Sequence, residues 1–266
     1  MQASTEQQSE YNKLLHLLGE QDTSVMQFLI KLSPDELTTL RQKVQSAIYS
    51  EQSSQWKRVA GVAKFMPNFV NAKVAEQALG PVITANISYY IDVRDAVSIM
   101  RFLSTPFMAE VAGYMVPEKS KELINKLPMD LMKKLVVYLC QNNKHFVVGS
   151  FVEVTELDRV VEIALHLNKE SDLIGITKYV KDKSSLAGAY RAFNEQKRYK
   201  LIEEAHRSNN LNIVIQMAMF LQLGEVLQMS RLLNEKNPGL LKSMLDEMAA
   251  LNSDGRYDEL IRGMGR

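Results

Sequence analysis

A single cysteine in 266 residues, Cys140, excludes an intrachain disulfide and points to a reducing compartment, the cytoplasm. It closes the apolar run Leu135 to Cys140, where a thiol reads as a small core hydrophobe rather than a nucleophile. Charge imbalance is missing as well. Lys plus Arg number 32 against 31 Asp plus Glu, so no whole-molecule field draws the chain to nucleic acid or anionic lipid. Any electrostatic partner must therefore be read by a local patch. A membrane-length apolar run is also lacking. The longest uncharged stretch, Ser208 to Gly224, is short of a span and carries Asn209, Asn210, Asn212, Gln216 and Gln222. It reads as a buried central helix, and no membrane insertion is expected. Met1 to Gln8 has neither the basic nor the apolar region of a secretory leader and reads as a short frayed tail.

Local chemical signatures are equally scarce. The four histidines, His16, His145, His166 and His206, have no second ligand at metal-binding spacing. The glycines form no dinucleotide or phosphate loop, and no serine sits in a Gly-x-Ser-x-Gly context. No enzyme activity, cofactor or metal is expected from these patterns; an active site assembled only in three dimensions stays open.

What is present is helical grammar. Hydrophobic residues at 46% and charged residues at 24% suffice for a buried core, in one large domain, two ordinary ones or a repeat array. Ala96, Ile99, Met100 and Leu103 recur at helical spacing, as do Leu131, Leu135, Val136 and Leu139. Leu211, Ile215, Ala218 and Met219 repeat the pattern, followed by Leu240, Leu241, Met244, Leu245 and Met248. Only β-branched Phe146 to Val152 reads as a strand. Ser33-Pro34-Asp35-Glu36 forms a capping box, with Thr155 to Asp158 a weaker version. Pro67, Pro81, Pro106, Pro117, Pro128 and Pro238 each fit a helix start, where the missing N–H does no harm. The resulting helices are too short to stand alone in water and must be held by neighbours.

Ala72, Val74, Ala75 and Ile87 are matched 37 residues on by Ala109, Val111, Ala112 and Ile124, the spacing of a helical repeat. No long linker divides the chain. The polar stretch Tyr49 to Gln55 is the most natural seam, setting a small N-terminal helical unit, residues 1–52, apart from a repeat domain, 53–266.

Within Val93 to Leu139, the run Phe107 to Lys119 leads through Ser120 to Pro128 as a small-residue helix, a Pro-Glu opening and a Leu-x-x-Leu-Pro closure. This segment is similar to the repeated helices of the cytoplasmic N domain of magnesium transporters, and to the related armadillo-like repeats of the flagellar rotor switch protein. The resemblance implies an all-α, right-handed superhelix, an α-solenoid of many short helices. It does not carry over transport, because no membrane segment is expected, nor magnesium sensing, because the family's extra acidic residues cannot be assigned position by position here.

Lys178, Lys181, Lys183, Arg191, Lys197, Arg198 and Lys200 face only Asp182 and Glu195, a local net charge of +5. Tyr179, Tyr190, Phe193 and Tyr199 are interleaved, the types that stack on bases or cap a peptide. The stretch reads either as a solvated face with inward aromatics or as a partner-binding site of Lys178, Lys181, Lys183, Tyr190, Arg191, Lys197, Arg198 and Lys200. Met217, Met219, Met229, Met244, Met248 and Met264 crowd the C-terminal third, as core filling or as an adaptable groove. The expected function is a non-enzymatic interaction protein that holds a protein partner or a second copy of itself; the alternative is a nucleic-acid or nucleotide-binding module using residues 178–200.

Overall fold

The structure, a computed structural model, describes residues 5–18, 26–51, 53–252 and 255–265. Helices account for its regular structure, and no strand occurs among the described residues. The chain forms two compact units, Met1–Thr155 and Glu156–Arg266.

The first unit opens with α1 (Thr5–Leu18), a 3-10 turn at Gln27–Lys31, and α2 (Pro34–Glu51). Tyr11, Leu14, Leu15, Leu29 and Leu37 bury themselves together there. Then follow α3 (Ser53–Ala63), α4 (Asn68–Val74), α5 (Gly80–Ser88), α6 (Val93–Met100), α7 (Thr105–Tyr114), α8 (Pro117–Lys126), α9 (Met129–Gln141) and α10 (His145–Val152). A π-helical turn, Ala75–Leu79, joins α4 to α5 and ends on Gly80 at φ +75°, a conformation a side chain would strain. From α3 to α9 each helix packs on the next but one: α3 on α5, α5 on α7, α7 on α9, and likewise α4 on α6 and α6 on α8, while α1 packs on α2 and α10 on α9. The helices therefore stack in two layers.

The second unit comprises α11 (Leu157–His166), α12 (Glu170–Thr177), α13 (Ser184–Ala192), α14 (Glu195–Arg207), α15 (Leu211–Ala218), α16 (Leu223–Lys236), α17 (Pro238–Leu251) and α18 (Asp258–Met264). The same rule orders it, α11–α13–α15–α17 in one layer and α12–α14–α16–α18 in the other. Met217, Met229, Met244, Met248 and Met264 are buried, so methionine here fills the core; only Met219 of the group is exposed. Buried Ser230 ties α18 to α16 by donating to the Met264 carbonyl at 2.5 Å. Ser230→Ala is expected to raise amide hydrogen exchange across α18 while leaving α14 unchanged.

The helix boundaries carry the chemistry read from the chain. Ser33 Oγ accepts from the Glu36 N–H at 3.3 Å while Glu36 Oε2 accepts from the Ser33 N–H at 2.7 Å, completing the capping box. All seven prolines sit within one residue of a helix start. Asn143 and Asn209, at φ 56° and 57°, end α9 and α14 in the left-handed conformation. There the Lys144 and Asn210 N–H groups close back on the Leu139 and Ala205 carbonyls, asparagine serving where glycine usually does.

Four expectations are corrected. Phe146 to Val152 lies in helix α10, not a strand: Val147, Val148, Gly149, Phe151 and Val152 are all buried, and a helix enclosed on most sides shows no amphipathic period. Ser208 to Gly224 is not one central helix. It holds α15, buried through Leu211, Ile213, Val214, Ile215, Met217 and Ala218, then a turn, then the start of α16. No helix among the described residues is long and apolar enough to cross a membrane. Thr155 caps nothing ahead of it, since its hydroxyl donates back to the Phe151 carbonyl at 2.7 Å. The frayed tail falls partly on residues 1–4, outside the described residues, but α1 already begins at Thr5, and Gln7 Nε2 donates to the Ile30 and Leu32 carbonyls.

The 37-residue match has a structural counterpart: α4 and α7 begin 37 residues apart, as do α5 and α8. The packing step is shorter. Stacked helices α5, α7 and α9 begin 25 and 24 residues apart, so the unit that repeats in space is a helix pair.

Candidate functional site

Residues 178–200 run from the end of α12 across α13 into the first turns of α14. Four of their seven cations meet the orphan carbonyls that short helices leave at their C-termini. Lys183 Nζ donates to the Thr177 carbonyl at 2.8 Å and to that of Val180, closing α12. Lys197 Nζ reaches the carbonyls of Ala164, Leu165 and Leu167 at 2.8, 3.3 and 2.7 Å, closing α11, and lies 4.7 Å from the Phe193 ring centre. Burial pulls the Lys197 ammonium below the usual lysine value. Arg198 donates to the carbonyls of Tyr190 and Arg191 at 3.1 and 2.7 Å, closing α13 with its guanidinium over the Tyr190 ring.

Arg191 holds Glu225 through two bonds, 2.8 and 3.1 Å, and adds the Phe220 carbonyl at 2.8 Å. That hydrogen bonding keeps the Glu225 carboxyl below the ordinary glutamate range. The backbone N–H and hydroxyl of Ser184 do the same for Asp182. Tyr190 and Phe193 are buried. The Tyr190 hydroxyl has no hydrogen-bond partner among the described residues, and burial pushes it up to about 12, beyond acid–base work at neutral pH. Of the eight residues expected to form a site, the structure thus brings Lys183, Arg191, Lys197 and Arg198 onto helix ends with Tyr190 beneath Arg198. Lys181 and Lys200 are exposed and Lys178 half-buried, apart from that set.

A second locus lies in the first unit. Helices α3 to α9 enclose a cavity of about 330 Å³, lined by 23 residues of which only Asn71, Thr84 and Ser88 are polar. All three turn their donors to backbone: Asn71 Nδ2 to the Ala63 and Met66 carbonyls, Thr84 to Gly80, and Ser88 to Ala85. The walls are small and aliphatic because the stacked helices meet there through Ala63, Ala75, Ala96 and Ala112, which leave room that larger side chains would fill. Exposed Val59 and Val62 stand on the wall, so the cavity reaches the surface beside α3. Its volume is that of a small ligand site. Left dry and closed, such a void forgoes up to about 8 kcal/mol at ~24 cal/mol per Å³, comparable with the net stability of a whole domain.

Beside that mouth, the corner from Trp56 to Lys73 exposes Phe65, Val62, Phe69 and Val59, at 88%, 58%, 52% and 39% of their surface. Lys57, Arg58, Lys64 and Lys73 are exposed among them, and no Asp or Glu occurs from 52 to 75. This locus was missed in the sequence, although its run of four cations without an acid is nearly as biased as residues 178–200. Val59, Val62 and Phe69 are exposed only because of how the helices pack, which their sequence context does not announce.

No family model, no curated protein and no solved structure matches the chain.

Proposed function

We propose that the chain is a non-enzymatic binding protein, an α-solenoid whose first unit takes the apolar part of a partner into the cavity between its stacked helices. The observation that carries this reading is the cavity itself, about 330 Å³ with every side-chain donor of its wall already bonded to backbone, which suits hydrocarbon and leaves no donor for a polar substrate. Next-but-one packing in both units supports the solenoid, since such stacking builds a continuous surface from units that cannot bury themselves alone. The right-handed superhelix rests on the likeness of residues 93–139 to the magnesium-transporter N domain. We also propose a cytoplasmic setting, which the presence of a single cysteine supports. Because Lys183, Arg191, Lys197 and Arg198 serve helix ends, we place the binding surface in the first unit rather than at residues 178–200.

Titration with a polarity-sensitive naphthalene dye tests the reading. The native chain is expected to bind it saturably with blue-shifted emission. Ala63→Phe, which puts a ring into the cavity from α3, should weaken that binding at least about tenfold and raise the melting temperature by filling the void. Dye binding unchanged in Ala63→Phe, with a lowered melting temperature, would place the dye elsewhere and refute the cavity as the site.

A further inference from the structure

We propose that the first unit docks on an anionic lipid bilayer through the corner of α3, the turn after it and α4, and that one acyl chain enters the cavity beneath. The acyl-chain half rests on the binding function proposed above; the docking half stands on the corner alone. Phe65, at 88% exposure, sits in the turn directly after α3, with Val62 one helical turn before it and Phe69 at the start of α4. Lys57, Arg58, Lys64 and Lys73 frame these side chains, and none of the four is paired with a carboxylate among the described residues. Lys57 instead lies 5.7 Å from the Tyr90 ring centre. Exposed apolar tips ringed by unpaired cations form the pattern that partitions into the headgroup boundary of an acidic membrane.

Charge complementarity selects this occupant. A second copy meeting it through the same corner would bring four positive charges against four. Nucleic acid would satisfy the cations but has no use for exposed valines that lead to a hydrocarbon-like cavity. A bilayer supplies both halves at once: phosphate for the lysines and a chain for the cavity. Taking a methylene to fill about the volume of one water in the liquid, roughly 30 Å³, the 330 Å³ cavity holds about ten carbons of that chain. Its entrance beside Val59 and Val62 lies on the same helix that carries Lys57 and Arg58.

Sedimentation of the full chain with phosphatidylcholine vesicles, with and without phosphatidylglycerol, tests the proposal. Pelleting is expected only with the anionic vesicles and should fall as salt is added. Phe65→Ser with Phe69→Ser should weaken it at least about tenfold. Reversal of Lys57, Lys64 and Lys73 to Glu should cost about fivefold or more per site. All five side chains are exposed, so circular dichroism melts should match the native chain. Trp56, the only tryptophan, lies on α3 and should be quenched by phosphatidylglycerol brominated along its chain.

Absence of pelleting, equal pelleting on neutral vesicles, or pelleting unaltered in the phenylalanine variant overturns the docking proposal, even where the dye still occupies the cavity. A dimer dissolved by the phenylalanine substitutions, or binding of an acidic peptide in place of vesicles, overturns it in favour of those partners. Full pelleting together with Trp56 quenching that is the same in Ala63→Phe keeps the docking and removes the acyl-chain half.

Discussion

Lys197→Met is expected to destabilise the second unit by about 2–3 kcal/mol, the range for losing hydrogen bonds made by a charged donor. The Lys197 ammonium serves three carbonyls at the end of α11 from the first turn of α14, so its loss leaves several acceptors without a protein donor at once. Water reaches a half-buried site of this kind, which keeps the cost below a simple sum of three bonds. The check is the urea midpoint followed by circular dichroism, with Lys200→Met as control. Lys200 is exposed on the same helix, and its replacement should stay within about 0.5 kcal/mol. Equal costs at the two positions would sink the capping account. A ligand surface would behave differently: both substitutions would weaken binding with little change in stability.

The second large effect is expected in acid. Glu10, on α1, is fully buried and accepts from Lys13 at 2.9 Å and from Arg41 of α2 at 2.9 Å. Burial alone would raise its carboxyl; the two cations outweigh that and hold it at about 2, against an ordinary 4.5. A carboxyl depressed in the folded state stabilises the fold above its unfolded value and loses that contribution as pH falls through the folded one. About 3 kcal/mol is therefore present near neutrality and disappears between about pH 4.5 and about pH 2. Urea midpoints compared at about pH 6 and about pH 3 should show the native chain losing more than Glu10→Gln, which has no proton to take up in that window. Glu10→Gln should also be the less stable protein at neutral pH, because it leaves Lys13 and Arg41 gathered without a counter-charge. A native chain no more acid-sensitive than the variant would show that the pair contributes nothing.

Both effects concern contacts between helices distant in sequence, and they mark where the chain's legibility stops. Helix starts were readable because proline and the Ser33/Glu36 pair act within one turn, through backbone groups that any helix start leaves unpaired. The helix ends at Asn143 and Asn209 are equally local in their chemistry but were not read from the sequence. The buried position of Cys140 and the core role of most C-terminal methionines were readable from apolar context. Helix α10 was not, because a β-branched run enclosed on most sides erases the periodicity that separates helix from strand.

The two candidate loci divide in the same way. Composition alone showed that residues 178–200 were basic and aromatic, but a lysine has the same formula whether it faces solvent or a helix end. Only packing set Lys197 against α11 and Arg198 against α13. The cavity and the exposed Phe65–Phe69 corner were hidden for the opposite reason, since valine and phenylalanine at helical spacing predict burial and nothing local announces that the neighbouring helix is absent. By itself, then, the sequence determined a chain of short helices with the one run Phe146 to Val152 misread, where many of the helices begin, and the lack of any local catalytic signature. The tertiary structure decided which cations are internal and which apolar side chains face out, because those depend on which helices stack next but one to each other. That choice is made by the summed burial of many surfaces rather than by any single motif.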